Sequence, residues 1–400
     1  MMLKILRKLE AIVSIYIIYQ EENNMTNRLF KAMITGAVLA GAIAVTTVQA
    51  YAADLKIGVL VADVSGEEAQ GFRSYYENYI AENYDVEFIY TDALEDAAGE
   101  KAAIEKFASQ GCQAIISLSS SDRATQIDTC EEYGLYYAIA SGVLDDALFE
   151  EYKGYEYFAG QVGPGNATEF EAGYAMGEYF KEQGVSSVAM YGAFIPNPMH
   201  VFRAAGVIAG LGDSYGGSSD MYDIVGQIFA DQKVDPAKVE GDISLAAYLQ
   251  GYGDTTTDEI NAAVQKEPEA FLSVGMATTF FTQILNEAGI PFADIDSFTE
   301  ANSAAMKEGK LVYLAGKYSS SIGPVFALIR NAVDGNVIRD EEGNAPSFSQ
   351  GYLVATDPET FDEYYVADNG EDPIYNKEKL DSIIGENVSY EDMKALVEAQ

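Results

Sequence analysis

The chain repeats one hydrophobic pattern from residue 55 onwards. Residues 55–62 are predominantly apolar with no regular alternation, residues 63–66 are small or polar, and residues 69–80 carry apolar side chains three or four positions apart. An apolar run without alternation is typical of a parallel strand that is covered on both faces. The later spacing is typical of a helix with one apolar face. The pattern therefore predicts a strand, a polar loop and a helix.

The same unit recurs along the chain and indicates the fold class. Before residue 142, further strands are predicted at residues 86–90, 114–118 and 136–140, with helices between them. After residue 142 the pattern restarts, and strands are predicted at residues 155–159, 187–191, 271–274, 295–298 and 311–315. Strands that alternate with helices are typical of doubly wound parallel sheets. The sequence thus predicts an α/β protein with two doubly wound parallel-sheet domains.

Three stretches carry weaker patterns. Residues 222–228 are predicted as a further strand, and residues 231–253 as a loop with a short helix. After a last strong helix at residues 324–334, the remainder of the chain is acidic and is predicted to be irregular, with a short strand at residues 352–355 and a terminal helix from Tyr390.

Length and charge narrow the function classes. A chain of 400 residues exceeds what one hydrophobic core normally supports, which agrees with two domains. The formal net charge is −39. Such a field repels nucleic acids and other polyanions, so we expect no nucleic-acid partner.

The N-terminal region predicts export. Residues 26–31 are basic, residues 32–45 are apolar, and residues 50–52 have the small-x-small pattern of a signal cleavage site, which would leave Ala53 first in the mature chain. Residues 1–24 fit no part of a signal, so we interpret residues 1–52 as an export signal with a true start near Met25. A membrane anchor is the weaker alternative, because neither apolar run reaches about 18 uninterrupted residues. No cysteine near residue 53 offers lipid attachment, and we expect a periplasmic or extracellular protein.

Export permits a disulfide bond between the two cysteines. Cys112 precedes the predicted strand at residues 114–118, and Cys130 lies near the end of the next helix, which returns towards the start of that strand. A bridge would stabilise the fold by roughly 3 kcal/mol. Two unlinked buried thiols are the open alternative.

Signatures of catalysis are absent from the sequence. His200 is the only histidine, so a histidine-based zinc site is excluded and a Ser-His-Asp triad would depend on this residue. The motifs of nucleophile elbows, phosphate loops and dinucleotide sites do not occur. We therefore expect no enzyme, no metal and no cofactor.

Polar side chains cluster where the predicted strands end. Open α/β sheets bind ligands at the carboxyl ends of their strands. Hydroxyls, carboxylates and aromatic rings together suit a polyol, whose hydroxyls need fixed partners and whose C–H faces pack on rings. A helix N-cap is the alternative role for Ser121 and Asp122, whereas Arg203 stands out because cations are scarce. The candidate ligand-binding residues are Ser65, Glu67, Ser119, Ser141, Phe194, Arg203, Met276, Asp296, Lys317 and Tyr318.

Several segments together resemble a known family. After the export signal come KIGVLV, AIISLSSSD and YAIASG, then a second α/β half, and later AGKYSSSIG before a helix. Over residues 56–335 this order resembles the type I periplasmic solute-binding proteins of sugar ABC transporters, of the ribose- and galactose-binding kind. The resemblance implies two lobes that are joined by three crossing segments, here near residues 141–143, 316–319 and 335–346.

The resemblance also implies domain bounds and a function. The first lobe would comprise residues 54–142 plus 318–345 and the second residues 143–317, with residues 346–400 as an acidic tail packing on both. The protein would capture a small polar ligand, with a sugar as the first choice, in the cleft between the lobes. It would act as a monomer and deliver the ligand to an ABC transporter permease in the membrane.

The match to the family differs from residue to residue. Arg203 and Asp296 fit the family's pattern, and Lys317 falls where a polar crossing residue is expected. Glu67, Ser141 and Met276 stand where the family shows other residues. One alternative is a sensory protein that binds a nucleoside, an amino acid or a signal molecule. A hydrolase is disfavoured, because the set of nucleophile and base is missing.

Overall fold

The structure is a computed structural model, and it describes residues 54–195, 197–251, 257–275 and 282–399. The predicted export signal, the start near Met25 and the candidate Met276 lie outside the described residues. The described residues belong to one compact unit.

The first part of the chain alternates strands with helices, as the hydrophobic pattern predicts. The strands are β1 (Leu55–Val61), β2 (Val86–Tyr90), β3 (Ala114–Leu118), β4 (Tyr136–Ala140) and β5 (Phe158–Gly163). The helices are α1 (Glu67–Ser74), which continues through a π-helical turn (Tyr75–Ile80), and α2 (Ala97–Ser109), α3 (Arg123–Tyr133) and α4 (Asp146–Tyr152).

The second part follows the same plan. Its strands are β6 (Ser187–Tyr191), β7 (Ser214–Tyr215), β8 (Val239–Glu240), β9 (Ser244–Leu249), β10 (Ala270–Ser273), β11 (Phe292–Ser297) and β12 (Leu311–Lys317). Its helices are α5 (Asn166–Glu182), α6 (Pro198–Gly210), α7 (Met221–Asp231), α8 (Thr257–Val264), α9 (Thr282–Ala288) and α10 (Glu300–Lys307).

The rest of the chain contributes to both halves. A 3-10 turn (Ser319–Ile322) leads into α11 (Gly323–Val333). The tail forms β13 (Ser347–Ser349), β14 (Leu353–Ala355), α12 (Pro358–Asn369), α13 (Lys377–Asp381) and α14 (Tyr390–Val397). The short strand β14 and the terminal helix α14 agree with the prediction, whereas β13, α12 and α13 lie in stretches that are predicted to be irregular.

Two six-stranded sheets organise the molecule, and the predicted fold class is confirmed. The first sheet has the order β13-β5-β4-β3-β1-β2, and all its pairs are parallel. The second has the order β14-β12-β11-β10-β6-β9 and is parallel except for β14 at its edge. Both faces of β1 are covered, since Ile57 and Val59 pack in one core cluster and Leu60 in another. This burial explains the unbroken apolar run in the sequence.

We call the part built on the first sheet the first lobe and the part built on the second sheet the second lobe. The predicted boundary at residue 142 is one strand too early, because β5 pairs with β4 in the first sheet. Gly163 makes this possible: it has φ 159°, and a Cβ atom there would overlap the backbone of Gly142. The first crossing therefore follows β5, at residues 164–165.

The third crossing is also displaced from its predicted place at residues 335–346. Since β13 belongs to the first sheet and β14 to the second, the chain crosses at residues 350–352. The middle crossing follows β12 and spans residues 318–322, because α11 packs against β3, β4 and β5. The tail packs on both lobes: α12 contacts α10 and β14, whereas α13 contacts α11.

Two weakly patterned stretches differ from prediction. The predicted strand at residues 222–228 is helix α7, where Asp220 caps the N-terminus by accepting from Asp223 N at 3.1 Å and the buried residues Ile224 and Ile228 lie one turn apart. The predicted loop at residues 231–253 contains β9, an edge strand of the second sheet with alternate residues buried.

The two cysteines are free and buried in the core of the first lobe. Burial raises the pKa of the Cys112 thiol to about 11. The predicted bridge is not formed in this structure, and the alternative of two buried thiols is the arrangement found. Among the described residues, no helix has both the length and the apolar character to cross a bilayer.

Candidate functional site

A cavity of about 280 Å³ lies where the two lobes and the middle crossing meet. Helix α1 of the first lobe lines it with Glu67 and Glu68, and the end of β11 in the second lobe lines it with Ser297. The crossing and helix α12 complete the wall. The further polar and aromatic lining residues are Gln70, Phe72, Ser74, Phe298, Thr299, Lys317, Tyr318, Ser319, Tyr365 and Asn369.

A larger cavity, of about 840 Å³, lies at the amino ends of strands in the first sheet. Its lining includes Glu105, Cys112 and Tyr133, which surround the amino ends of β3 and β4. It is formed by the first lobe alone and is remote from the carboxyl ends of the strands. Since open α/β sheets bind ligands at those carboxyl ends, the smaller cavity is the candidate site.

The loop after β1 fixes the position of the carboxylates on α1. Asp63 accepts hydrogen bonds from Ser65 N at 2.9 Å and from Gly66 N at 3.0 Å. The hydrogen bonds from Ser65 and Gly66 lower the pKa of the Asp63 carboxyl. The turn ends the strand and starts α1, so that Glu67 and Glu68 fall in the first helical turn, where the helix dipole favours negative charge.

One hydrogen bond joins the lobes across the cavity. The Ser297 hydroxyl, at the end of β11, donates to the carboxylate of Glu68 on α1. Asn302 holds the end of β11 in place, since its side-chain amide donates to Ser297 O at 2.8 Å and to Asp296 Oδ2 at 3.3 Å. The contact brings the two lobes together at the candidate site.

A second carboxyl group lies beside this contact. Burial and the negative charge of Glu68 raise the pKa of Asp296 to about 6, although the hydrogen bond from Asn302 and the charges of Arg203 and Lys317 oppose the shift. Among the residues described as lining the cavity, Lys317 is the single cation. The site is therefore rich in acceptors and carries net negative charge at neutral pH.

The predicted site residues divide into two groups. Glu67, Lys317 and Tyr318 line the cavity, and Asp296 adjoins it through its interaction with Glu68. Ser65 is exposed in the turn before α1, where its hydroxyl donates to Asp63 at 3.0 Å. The structure thus brings these five predictions to one region.

Ser119 lies away from the cavity. Its hydroxyl donates to Glu100 Oε1 at 2.5 Å, and the same buried carboxylate accepts from Ser121 N at 3.1 Å and Asp122 N at 3.0 Å. Glu100 thereby orders the loop after β3. The N-cap role predicted for Asp122 is confirmed, since it caps α3 by accepting from Thr125 N at 3.0 Å.

Arg203 is buried at a different place, beneath the crossing segments. Its side chain is 4% exposed, and its Nε donates to Glu169 Oε2 at 2.6 Å. Its Nη1 donates to Val274 O at 2.8 Å and its Nη2 to Tyr352 Oη at 2.6 Å. Glu169 follows the first crossing and Tyr352 belongs to the third, so Arg203 ties both crossings to the second lobe.

Ser141 and Phe194 lie outside the cavity lining. Ser141 follows β4 with φ 58°, and Phe194 follows β6; both are half-buried. Met276 lies outside the described residues.

Sequence reasoning missed several lining residues. Glu68, Ser297 and Ser319 are neighbours of predicted residues, so the position of the site after the strands could have indicated them. Tyr365 and Asn369 lie on α12, in the stretch predicted as irregular, and no motif signals them. In the described ranges, no three His, Cys, Asp or Glu side chains are grouped to hold a metal ion.

Comparisons with known proteins identify the fold. No family model matches the sequence, and no curated protein matches it. A solute-binding protein of an ABC transporter from Bacillus halodurans, with bound myo-inositol, matches with 17% identity and a TM-score of 0.54, over 79% of this chain and 99% of that one.

Two further solved structures of solute-binding proteins have the same fold. A periplasmic solute-binding protein from Actinobacillus succinogenes with bound D-allose has 15% identity and a TM-score of 0.57, over 78% of this chain and 100% of that one. The arabinose-binding component of an ABC transporter from Shewanella has 17% identity and a TM-score of 0.53, over 78% of this chain and 94% of that one. The chain has the type I fold of these periplasmic binding proteins.

Proposed function

We propose that this chain is an exported solute-binding protein that captures a small polar ligand, with a sugar as the first choice, and delivers it to an ABC transporter permease. The observation that carries the proposal is the cavity between the two lobes, which the Ser297–Glu68 hydrogen bond spans. The structures with the same fold that hold myo-inositol, D-allose and arabinofuranose support it.

The chemistry of the cavity suits a single sugar ring. Carboxylates, hydroxyls and the Lys317 ammonium offer fixed partners to ligand hydroxyls, and Phe298 and Tyr318 offer aromatic faces for C–H groups. Its volume of about 280 Å³ is at the lower end of the range of roughly 300–1,000 Å³ that small-molecule pockets span. We assign ligand contacts to Glu67, Lys317 and Tyr318, with Asp296 and Ser65 at its margin.

Charge excludes one class of sugar from the proposal. The formal net charge of −39 and the carboxylates of Glu67, Glu68 and Asp296 disfavour sugar phosphates and sugar acids. The ligand is therefore neutral or cationic.

Binding without turnover agrees with the chemistry of the described residues. His200 is buried, and burial together with the charge of Arg203 lowers its pKa to about 4. At neutral pH almost all of this histidine is the neutral imidazole. The protonated form that could act as a general acid is therefore nearly absent. We therefore propose a carrier without a catalytic residue. We also propose that it acts as a monomer.

We propose that Arg203 does not contact the ligand directly. To bind a ligand it would have to release a carbonyl, the Tyr352 hydroxyl or the Glu169 carboxylate, all within buried surroundings. We assign it to the hinge, where it positions the crossings.

A thermal-shift and scattering experiment tests the function. Purified protein is heated with myo-inositol, D-allose, L-arabinose, D-galactose and D-ribose, and with D-glucose 6-phosphate as the anionic control. A ligand that binds only the folded state raises the stability by about 2.7 kcal/mol at 100 times its dissociation constant, and closure reduces the radius of gyration in X-ray scattering. If none of the five neutral compounds raises the midpoint, the proposed function is wrong.

A further inference from the structure

Helix α12 takes part in the candidate site, although it lies in the tail and packs outside both sheets. We infer that α12 forms a third wall of the ligand cleft, in which the Tyr365 hydroxyl and the Asn369 side-chain amide hydrogen-bond the hydroxyls of the bound polyol and help to select it. The inference rests on the proposed function, because it concerns the same cavity.

The first step is the position of the two side chains. Tyr365 and Asn369 are four residues apart, so they lie on one face of α12. Both line the cavity, together with Glu67 and Glu68 of the first lobe. The charge of Glu67 contributes, after burial, to the raised pKa of Tyr365, which indicates that the two side chains are close.

The second step is their hydrogen-bonding capacity. The Asn369 amide donates one hydrogen bond to Tyr365 O at 2.9 Å, within the helix. This leaves one N–H donor and the Oδ1 acceptor of Asn369, and within the described part of the chain no protein group bonds them or the Tyr365 hydroxyl. A donor and acceptor pair of this kind matches a ligand hydroxyl, which donates and accepts at once.

The third step is the rigidity of the helix. Asp368, between the two residues in sequence, is 6% exposed and accepts from Ser320 N at 3.0 Å, and Ser319 N and the Ser320 hydroxyl donate to it as well. Phe361 is fully buried, and its ring centroid lies 4.9 Å from that of Phe298, which also lines the cavity. The wall is therefore held by both the middle crossing and the second lobe.

Rigidity decides whether such a wall can select a ligand. Side chains that are already ordered lose little freedom on binding, so more of each hydrogen bond contributes to affinity. The α12 wall thus adds to the selectivity that the two lobes supply.

The test compares Tyr365→Phe and Asn369→Ala with the parent protein by isothermal titration calorimetry. The probe is whichever of myo-inositol, D-allose, L-arabinose, D-galactose and D-ribose binds the parent most tightly. Each variant should bind it about threefold to tenfold more weakly, as expected for loss of one hydrogen bond, with an unchanged unfolding midpoint. Val366→Ala is the matched control, because that side chain is 65% exposed on the same helix, and it should bind like the parent.

Monodeoxy derivatives of the same sugar separate a direct contact from a structural effect. For one derivative, the loss caused by Tyr365→Phe or Asn369→Ala should vanish, since the partner hydroxyl is already missing. If both variants bind the sugar as tightly as the parent, or if their losses are the same for every derivative, α12 is not a ligand wall. If the parent itself binds none of the sugars, the proposed function is wrong and this inference with it.

Discussion

The Ser297 hydroxyl donates a hydrogen bond to the Glu68 carboxylate, although the two residues belong to opposite lobes. The bond forms at the candidate site, next to a second carboxyl, Asp296, whose pKa is raised by burial and by Glu68. The contact therefore favours approach of the lobes, while the repulsion between the two carboxylates opposes it.

Ser297→Ala should shift the ligand-free protein towards an open form. Hydrogen bonds to charged groups contribute about 1.5–3 kcal/mol, so we expect a larger radius of gyration in X-ray scattering and an affinity for sugar reduced by roughly tenfold to a hundredfold. Ser244→Ala, on the exposed start of β9, is the control and should change neither quantity. An unchanged radius of gyration in Ser297→Ala would show that the bond does not hold the lobes together.

Arg203→Ala should destabilise the fold itself. Removal of one partner from a buried ion pair leaves an uncompensated charge, here Glu169, and costs about 3–5 kcal/mol. Denaturant unfolding measures the loss. Arg73→Ala removes an exposed pair with Glu77 and should cost less than about 1 kcal/mol. Equal stability of the two variants would contradict the structural role of Arg203.

Asp296→Asn should change how stability depends on pH. The pKa of the Asp296 carboxyl is raised from 3.8 to about 6 on folding, so the folded state holds this proton more tightly than the unfolded chain. The group therefore costs stability increasingly as the pH rises from about 4 to about 6, and a constant amount above that range.

The variant removes that cost, so it should match the parent near about pH 4 and exceed its stability near about pH 7.5 by on the order of 2 kcal/mol. Urea unfolding at both pH values provides the measurement. A constant difference between the two proteins at all pH values would refute the raised pKa.

The two cysteines should react as free thiols only after unfolding. Both are buried, and burial raises the pKa of Cys112 to about 11, so little thiolate forms at neutral pH. Native protein should resist iodoacetamide, whereas denatured protein without reductant should gain two alkyl groups by mass spectrometry. An unmodified denatured chain would show that a bridge forms after all.

The proposed export signal predicts the N-terminus of the mature protein. If residues 50–52 are the cleavage signal, the intact mass of protein recovered outside the cytoplasm should correspond to a chain that begins at Ala53. A retained segment upstream of residue 50 would contradict the predicted cleavage.

Elements with strong local patterns could be predicted from the sequence. The strands β1, β3 and β4 lie inside the first sheet and are largely buried, so their sequences are mostly apolar, and the loops after them are polar. The edge strand β9 was missed, because only alternate residues are buried and the run is short. Likewise, β5 was assigned to the wrong lobe, since its place depends on pairing with β4 and with β13, which is far along the chain.

The site was partly predictable for the same reason. The hydrophobic pattern predicts where β1 and β12 end. It therefore places Glu67, Lys317 and Tyr318 at the carboxyl ends of these strands, where ligands are expected. The scarcity of cations makes Arg203 a candidate ligand contact in the sequence. Its partners Glu169 and Tyr352 are distant in sequence, so only the fold reveals that buried protein groups hold it. Tyr365 and Asn369 are positioned by contacts of α12 that carry no local signal.

The bonds of Arg203 also bear on the mechanics of the molecule. One guanidinium holds Glu169, just after the first crossing, and Tyr352, within the third. The two outer crossings therefore share a single anchor, and we expect them to move together. Rotation of the lobes about the outer crossings can leave the bonds of Arg203 to Glu169 and Tyr352 intact. Sliding of one lobe along the other would separate the two crossings and break these bonds. We therefore expect the lobes to open by a hinge rotation. The ligand should then enter only from the side of the cleft opposite the outer crossings.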